Sequence, residues 1–287
     1  AQPYLDIALR SLIAQGTSPA AKALRDQLQV VHIGQTEAQL LTDCSSFKGL
    51  RLRELRIEAS QYLNDLSGLE DMASLENLSL PNCLMMKTLK GVEGCTSLTH
   101  LELTGCSQLD SIAVLEGLNK LASVDLTGCG HLISVRGLAS PALTDLTLDK
   151  CSNLADLDGL TGGGLLRISA VNCWKLESSK GLTGHANLQK AILTGCGLRE
   201  IDGLAGKEAL AHISLRQCKY LANLNGLAEL TGIDQLELYD CVAADVSGLT
   251  HLLDATLEGG FVVASRRQVS YPTVAKSLEG RKTLTII

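Results

Sequence analysis

The stretch LELTGCSQL, residues 101–109, decides the fold because its pattern returns along the chain at regular intervals. VDLTGCGHL begins at Val124, and AILTGCGL begins at Ala191. Aligned on cysteine, eight of the ten cysteines are separated by steps of 22 or 23 residues. A fixed period of this length indicates stacked structural repeats. The cysteines of this ladder are Cys83, Cys106, Cys129, Cys151, Cys173, Cys196, Cys218 and Cys241.

Each repeat follows the frame L-x-x-L-x-L-x-x-C and then x-x-L-x-x-L-x-G-L, as in Leu98, Leu101, Leu103 and Cys106. The apolar alternation predicts a short strand whose fourth and sixth positions point inward. The Thr-Gly that often precedes the cysteine is turn chemistry. A thiol is a small apolar group and a weak donor, so it suits a buried corner with unpaired backbone groups. The frame therefore predicts an internal column of thiols.

This frame resembles the leucine-rich repeat family over about residues 28–260. The repeat length is similar to that of internalins and leucine-rich phosphatase regulators, with cysteine where asparagine is usual. Cysteine in this slot is similar to the longer repeats of F-box adaptors. The resemblance implies an α/β solenoid, a right-handed arc with a parallel concave sheet. About a dozen residues remain for the return path, too few for a helix of ordinary length with its connections. We expect a convex side of mostly 3₁₀ or irregular segments.

The pattern also predicts how the chain is organised. We expect an N-terminal helical cap at residues 1–28, nine to ten repeats at 29–260 and a C-terminal cap at 261–287. Caps are expected because a solenoid otherwise exposes apolar faces at both ends. The first copy is degenerate and has Thr36 in the cysteine slot, and the next has Ser60. The start without Met and the position of the last residue leave open a longer native chain.

Composition excludes several classes of function. A formal net charge of −6 argues against a nucleic-acid binder, which needs a basic face, and favours a partner with a basic surface. No run approaches 18 apolar residues, so no membrane span is expected. We expect no cofactor and a chain that is monomeric on its own.

Cysteine placement argues against catalysis and metal binding. The chain has no C-x-x-C motif, and the ladder supplies one cysteine for each layer, whereas structural zinc needs four converging ligands. A buried thiol lacks the exposed, base-assisted thiolate of a nucleophile. We expect free thiols, hence a reducing compartment such as the cytoplasm, with a secreted or translocated effector as the alternative. The run Gly162–Gly164 lacks the lysine of a phosphate loop, so we expect a loop between repeats.

The exposed strand positions should line the concave face, which we expect to bind the partner. They form an acidic middle, then a basic band, then a second acidic region; alternatively, these positions are polar only for solubility. Trp174 and Tyr220 follow their cysteines by one and two places and should lie on the corner rim, as a lateral site or as packing. The candidate concave residues are His100, Glu102, Asp125, Asp145, Arg167, Lys190, His212, Arg216, Glu237 and Tyr239.

Three functions follow from the resemblance. The first is a non-catalytic adaptor, scaffold or regulatory subunit, including an inhibitor that holds a basic protein. The second is the recognition part of a pathogen effector or immune-type receptor. The third is the substrate-recognition part of an enzyme, such as a ubiquitin ligase, whose catalytic domain lies outside this chain.

Overall fold

Ten short strands form one parallel sheet, and their order in the sheet is their order in the sequence. The computed structural model describes Pro19, Ala23, residues 26–238, Asp240 and Cys241. This arrangement confirms the predicted solenoid, with one strand for each repeat. The strands are β1 (Val30–Ile33), β2 (Glu54–Ile57), β3 (Asn77–Ser79), β4 (His100–Glu102), β5 (Ser123–Asp125), β6 (Asp145–Thr147), β7 (Arg167–Ser169), β8 (Lys190–Ile192), β9 (His212–Ser214) and β10 (Gln235–Glu237).

The register of the sheet places equivalent positions of the frame side by side. Leu78 pairs with Leu101, and Leu101 with Val124, so the fourth position of every coil lies in one column. These residues are buried, and so are those at the first and sixth positions. Burial of each such aliphatic side chain contributes about 1.5–3 kcal/mol, and coils stabilise one another only through their neighbours. The core is therefore a stack of thin aliphatic layers.

The return path of each coil contains short 3₁₀ helices and irregular backbone, as the repeat length predicts. The only α-helix in the described region that lies between strands is α1, a single turn at Gln35–Ala38. Each 3₁₀ helix places at least one buried apolar residue against the core. The 3₁₀ helices are η1 (Ser45–Phe47), η2 (Ala113–Leu115), η3 (Lys180–Leu182), η4 (Asp202–Leu204) and η5 (Asn225–Leu227).

The glycine at the second corner of most coils is required by close packing against the preceding coil. At Gly91, where φ is +105°, an added Cβ would lie 2.1 Å from the Leu66 carbonyl oxygen. Gly203 is not in the left-handed region, yet its Cβ would lie 1.9 Å from the Ser179 carbonyl oxygen. The coils therefore share the close approach of two backbones at this glycine, and a positive φ accompanies it only in some of them.

Several predictions concern the ends of the chain. The strand of the first, degenerate repeat is present as β1, but Thr36 lies in α1 and is exposed, because the chain turns into a helix there instead of a buried corner. The buried slot is first occupied by Ser60. The helical cap predicted at 1–28 lies almost wholly outside the described residues, and the C-terminal cap at 261–287 lies wholly outside them. The domain boundaries thus stay predictions. No described helix has the length and apolarity needed to cross a bilayer.

Candidate functional site

The cysteine ladder is a column of buried thiols that bonds each coil to the coil before it. The Cys106 Sγ donates to the Leu80 carbonyl oxygen at 3.2 Å, and the Cys151 Sγ donates to the Leu126 carbonyl oxygen at 3.2 Å. The same contact, to the sixth position of the preceding coil, recurs for every ladder cysteine. Ser60 replaces the thiol with a hydroxyl that donates to the Ala38 carbonyl oxygen at 2.8 Å. The column therefore satisfies backbone groups at the corner after each strand.

Burial suppresses the reactivity of these thiols, although a hydrogen bond with Cys218 lowers the pKa of Cys241. All ten cysteines are free and buried. Desolvation raises the pKa of Cys83 to about 11 and that of Cys106 to about 12. A thiolate is the nucleophile and the metal ligand, so a thiol held neutral serves neither role at physiological pH. No group of three or more His, Cys, Asp or Glu side chains suited to a metal occurs among the described residues.

The face of the sheet that carries the third and fifth strand positions, here called the open face, begins with a hydrogen-bonded network. Arg56 donates to the Ser79 hydroxyl at 2.6 Å and to the Glu102 carboxylate at 3.0 Å, and Ser79 also donates to Glu102 at 2.6 Å. The network borders a shallow depression of about 440 Å³ above β2 to β5, which His100 and Asp125 also line. Glu102 is therefore partly neutralised, which the sequence pattern does not reveal.

A second ion pair joins the predicted acidic and basic regions of the open face. Arg167 donates to Asp145 through two nitrogens, and the Nη2–Oδ2 distance is 2.9 Å. Partial burial opposes ionisation of Asp145, but hydrogen bonds from Arg167 and Thr144 outweigh it and lower the pKa of this carboxyl. His100 also favours the ionised form. The boundary between the two regions is thus a bidentate pair, which adds geometric specificity.

Asp125 and Lys190 on the open face have no ion-pair partner among the described residues. Asp125 accepts a hydrogen bond from the Thr127 backbone N–H at 2.8 Å, and Lys190 is exposed at the edge of the basic region. Burial lowers the pKa of His212, and Lys190 lowers it further, against the opposing effect of Glu237. The neutral form of His212 is thus favoured beside Lys190.

The last described strands are less open than expected. Ser214 lies at the fifth strand position, which the frame leaves exposed, yet it is 1% exposed; it bonds to Thr194 at 2.9 Å and donates to Glu237 at 2.7 Å. Arg216 follows β9 and is exposed. Tyr239 lies outside the described residues. The structure thus brings Glu237 into a local network and places the other described candidates in columns along the sheet.

The rim of the solenoid, which we define as the residues one and two places after each ladder position, carries the two predicted aromatic residues. Trp174 and Tyr220 are each 68% exposed. Both line one cavity of about 300 Å³, together with Asn172, Gln217 and Lys219 among others. Of the two interpretations of these aromatics, solvent-shielded packing is wrong, since two-thirds of each side chain is open to solvent.

Comparisons with known proteins agree with this architecture. A family model described as the leucine-rich repeat domain of the endo-β-N-acetylglucosaminidase EndoS matches residues 21–136. The chain has the leucine-rich repeat fold. The solved functional domain of InlJ from Listeria monocytogenes, described as including a cysteine ladder, is 20% identical with a TM-score of 0.51, over 78% of this chain and 53% of that one. This leucine-rich repeat chain therefore spans about half the length of the InlJ structure.

Two further solved leucine-rich repeat structures are similar at lower scores. An internalin (inlF) from Listeria monocytogenes is 15% identical over 89% of both chains, with a TM-score of 0.46. A leucine-rich repeat protein from Leptospira interrogans is 15% identical over 90% of this chain and 81% of that one, with a TM-score of 0.38. A comparison with curated protein sequences gave no match.

Sequence reasoning missed two buried ionisable residues in the return path of the leucine-rich repeat coils. His185 is 1% exposed; the Leu165 backbone N–H donates to its Nδ1 at 3.3 Å, and its Nε2 lies 3.2 Å from the Leu160 carbonyl oxygen. Lys207 is 2% exposed, and its Nζ donates to the carbonyl oxygens of Thr183 and His185. Burial lowers the pKa of both side chains. Their positions align with buried apolar residues of other coils, namely Met72, Cys95, Leu118 and Leu230, which is the signal that could have found them.

Proposed function

We propose that this leucine-rich repeat protein is a non-catalytic recognition module that binds a protein partner through the open face of its sheet. The observation that carries the proposal is the pair of charges on that face, Asp125 and Lys190, that have no ion-pair partner among the described residues. They lie on strands separated by β6 and β7. Fixed charges at a set spacing favour a partner with the complementary spacing, and they act mainly on orientation and association rate.

Strand geometry gives the spacing that the partner must match. Three strand intervals separate β5 from β8, which corresponds to about 14 Å at the usual distance between neighbouring strands. The pair between Arg167 and Asp145 lies between these two charges and is already compensated. We therefore infer that the partner presents a basic group opposite Asp125 and an acidic group opposite Lys190. Glu102 adds little to the attraction because Arg56 binds it.

The test begins with affinity capture from the native source, identification of the captured protein by mass spectrometry and measurement of its binding after purification. We expect Asp125→Lys and Lys190→Glu each to weaken binding at least tenfold, mainly through the association rate, and more strongly at low salt. Lys48→Glu makes the same charge change next to η1 on the return path and should leave binding unchanged. Equal effects of Lys48→Glu and Lys190→Glu, or no effect of either open-face change, would contradict the proposal.

A second candidate function is substrate recognition within a larger enzyme. It is favoured by the match of residues 21–136 to a leucine-rich repeat domain that is described as part of an endo-β-N-acetylglucosaminidase. In that case the 287 residues recognise a substrate and a separate domain performs the chemistry. We expect the isolated chain to be inactive in hydrolase and ligase assays; turnover by this chain alone would contradict both candidates. The remaining hypothesis, the recognition part of an effector or receptor, predicts further domains in the full reading frame.

The cytoplasmic location predicted from free thiols stays a proposal. Buried thiols with raised pKa values react slowly with oxidants, so the ladder stays reduced in either kind of compartment. Fractionation of the native source, followed by detection of this protein, would decide between the cytoplasm and a secreted form.

A further inference from the structure

The rim contains a notch because one coil is a single residue shorter than its neighbours. Two residues separate Cys173 from Leu176, and two separate Cys218 from Leu221. In the coil between them, Gly197 alone separates Cys196 from the next leucine. The leucines after all three cysteines are buried, so the core of the short coil keeps its register. The rim therefore has one residue fewer in this coil, whereas two residues follow each of the other ladder cysteines from Cys83 to Cys218 before the next buried apolar residue.

The floor of the notch is backbone and cannot be filled by a side chain at Gly197. A Cβ added to this glycine would lie 2.3 Å from the Trp174 carbonyl oxygen. Trp174 on one side and Tyr220 on the other line the notch, and its volume is about 300 Å³. The two aromatic residues belong to coils two strand intervals apart, which corresponds to about 9.5 Å. Trp174 lies one place after its cysteine and Tyr220 two places after its own, so the two rings line the same notch from non-equivalent rim positions.

The polar groups around the notch are available to a partner. The side-chain amides of Asn172 and Gln217 make no hydrogen bond among the described residues, and Lys219 makes no ion pair there. Lys150 is exposed at the corner of the preceding coil. The acidic neighbour Asp149 is engaged with Ser169 and the Val171 backbone N–H. Lys219 is therefore the charged residue that lines the notch, and the corner positions one coil to either side of the lining are Lys150 before it and Asp240 after it.

We propose that this notch binds a single apolar side chain of an acidic peptide segment in a protein partner. The aromatic walls would contact the apolar side chain, Lys219 and Lys150 would attract the flanking carboxylates, and the two amides would bond to the peptide backbone. Exposed tryptophan and tyrosine beside a small pocket are the residues that contribute most to protein–protein binding. A cavity of about 300 Å³ is at the lower limit for a small-molecule site but accommodates one side chain. The inference is independent of the proposed role of the open face.

The chain itself supplies the reporter, because Trp174 is its only tryptophan. The full 287-residue chain would be titrated with the peptide acetyl-Asp-Asp-Phe-Asp-Asp-amide while tryptophan emission and acrylamide quenching are recorded. We expect a saturable blue shift, reduced quenching and a dissociation constant on the order of 0.1–1 mM. A peptide with alanine in place of phenylalanine, and one with lysines in place of the aspartates, should each bind at least fivefold more weakly.

Matched variants keep the test specific. Tyr220→Ala and Lys219→Glu should each weaken binding at least fivefold while the circular dichroism spectrum is unchanged. Tyr62→Ala is the control, because Tyr62 occupies the equivalent rim position two residues after Ser60 and is 55% exposed. The proposal is overturned if the acidic phenylalanine peptide gives no saturable change, if the lysine peptide binds equally well, or if Tyr220→Ala binds like the unmodified chain. A response to tri-N-acetylchitotriose instead of the peptide would assign the notch to a carbohydrate and also overturn it.

Discussion

Replacement of His185 by leucine should lower the stability of the solenoid at neutral pH but much less at acidic pH. The imidazole bonds to both ends of the loop that contains Gly162–Gly164: it accepts a hydrogen bond from the Leu165 N–H and lies 3.2 Å from the Leu160 carbonyl oxygen. An acceptor at Nδ1 requires the neutral ring with its proton on Nε2, which then donates to Leu160. Protonation of Nδ1 would remove the bond from Leu165.

The size of the effect follows from these contacts. Each buried backbone group left without a partner costs about 1–3 kcal/mol, so the loss of both bonds costs about 2–6 kcal/mol. A leucine at this position, which is apolar in other coils, regains about 1.5–3 kcal/mol by burial. We therefore expect His185→Leu to lower the free energy of unfolding by about 2 kcal/mol at pH 7.5.

The pH dependence has a definite sign. Burial, and the nearby Lys207 charge, lower the pKa of His185 below its ordinary value of 6.5. Below pH 6.5 the unfolded chain binds a proton at this residue that the folded chain does not, so the original protein loses stability as the pH falls towards the folded pKa. By pH 5.0 this loss reaches at most about 2 kcal/mol. The leucine variant lacks this loss of stability at low pH, so the difference in unfolding free energy between the two proteins should shrink towards zero as the pH falls.

Urea unfolding followed by circular dichroism at pH 7.5 and pH 5.0 measures both differences, and other titrating groups cancel in the comparison. His131→Leu is the control, because His131 is exposed and its replacement should change stability by less than about 0.5 kcal/mol at either pH. A difference between the original protein and His185→Leu that is constant with pH, or larger at pH 5.0, would refute a neutral, buried imidazole.

Three other expectations can be checked with the same protein. In the original protein, stability should rise as the pH increases towards 10.5, because the unfolded chain still holds a proton on Lys207 that the buried amine has lost. Lys207→Met should remove this rise, which urea unfolding at pH 8.5 and pH 10 will show. An unchanged pH profile would argue against the lowered pKa. All ten cysteines should resist a thiol-specific disulfide reagent in the folded protein and react when unfolded in urea; rapid labelling of any one would contradict its burial. Cys151→Ser should keep a side-chain donor to the Leu126 carbonyl and be more stable than Cys151→Ala by about 1 kcal/mol in thermal unfolding; the reverse order would mean that the thiol contributes only by filling space.

The fold was predictable because a strict period constrains every coil in the same way. The alternation around Leu101 and Leu103 sets which strand positions point inward, and the constant step then sets the register between coils. Repeat length also determines the 3₁₀ return path. The glycine of the L-x-G-L part of the frame lies at the second corner, where the approach of two backbones requires it even without a positive φ, as Gly203 shows.

The candidate site was less predictable because long polar side chains choose partners across more than one coil. Arg56 reaches past Ser79 to Glu102, two coils away, and a column of letters in the sequence does not show this choice. Likewise, histidine and lysine are usually exposed, so the burial of His185 and Lys207 becomes visible only when their coils are aligned with neighbours that have apolar residues there. The sequence pattern therefore predicts where each residue lies in its coil, but it predicts the hydrogen-bond or ion-pair partner of a long polar side chain only where a single partner is within reach.

The uniform step between Leu80, Leu103 and Leu126, each accepting a bond from the sulfur of the following coil, makes the molecule extendable. A duplicate 23-residue unit inserted between Cys106 and Cys129 would make the same thiol-to-carbonyl contacts with the coil before it and the coil after it. It would add about 4.8 Å to the stack without altering either terminus. Length in this architecture can therefore be adjusted in whole units, so the reach of the molecule can be matched to a larger or smaller target by gene duplication alone.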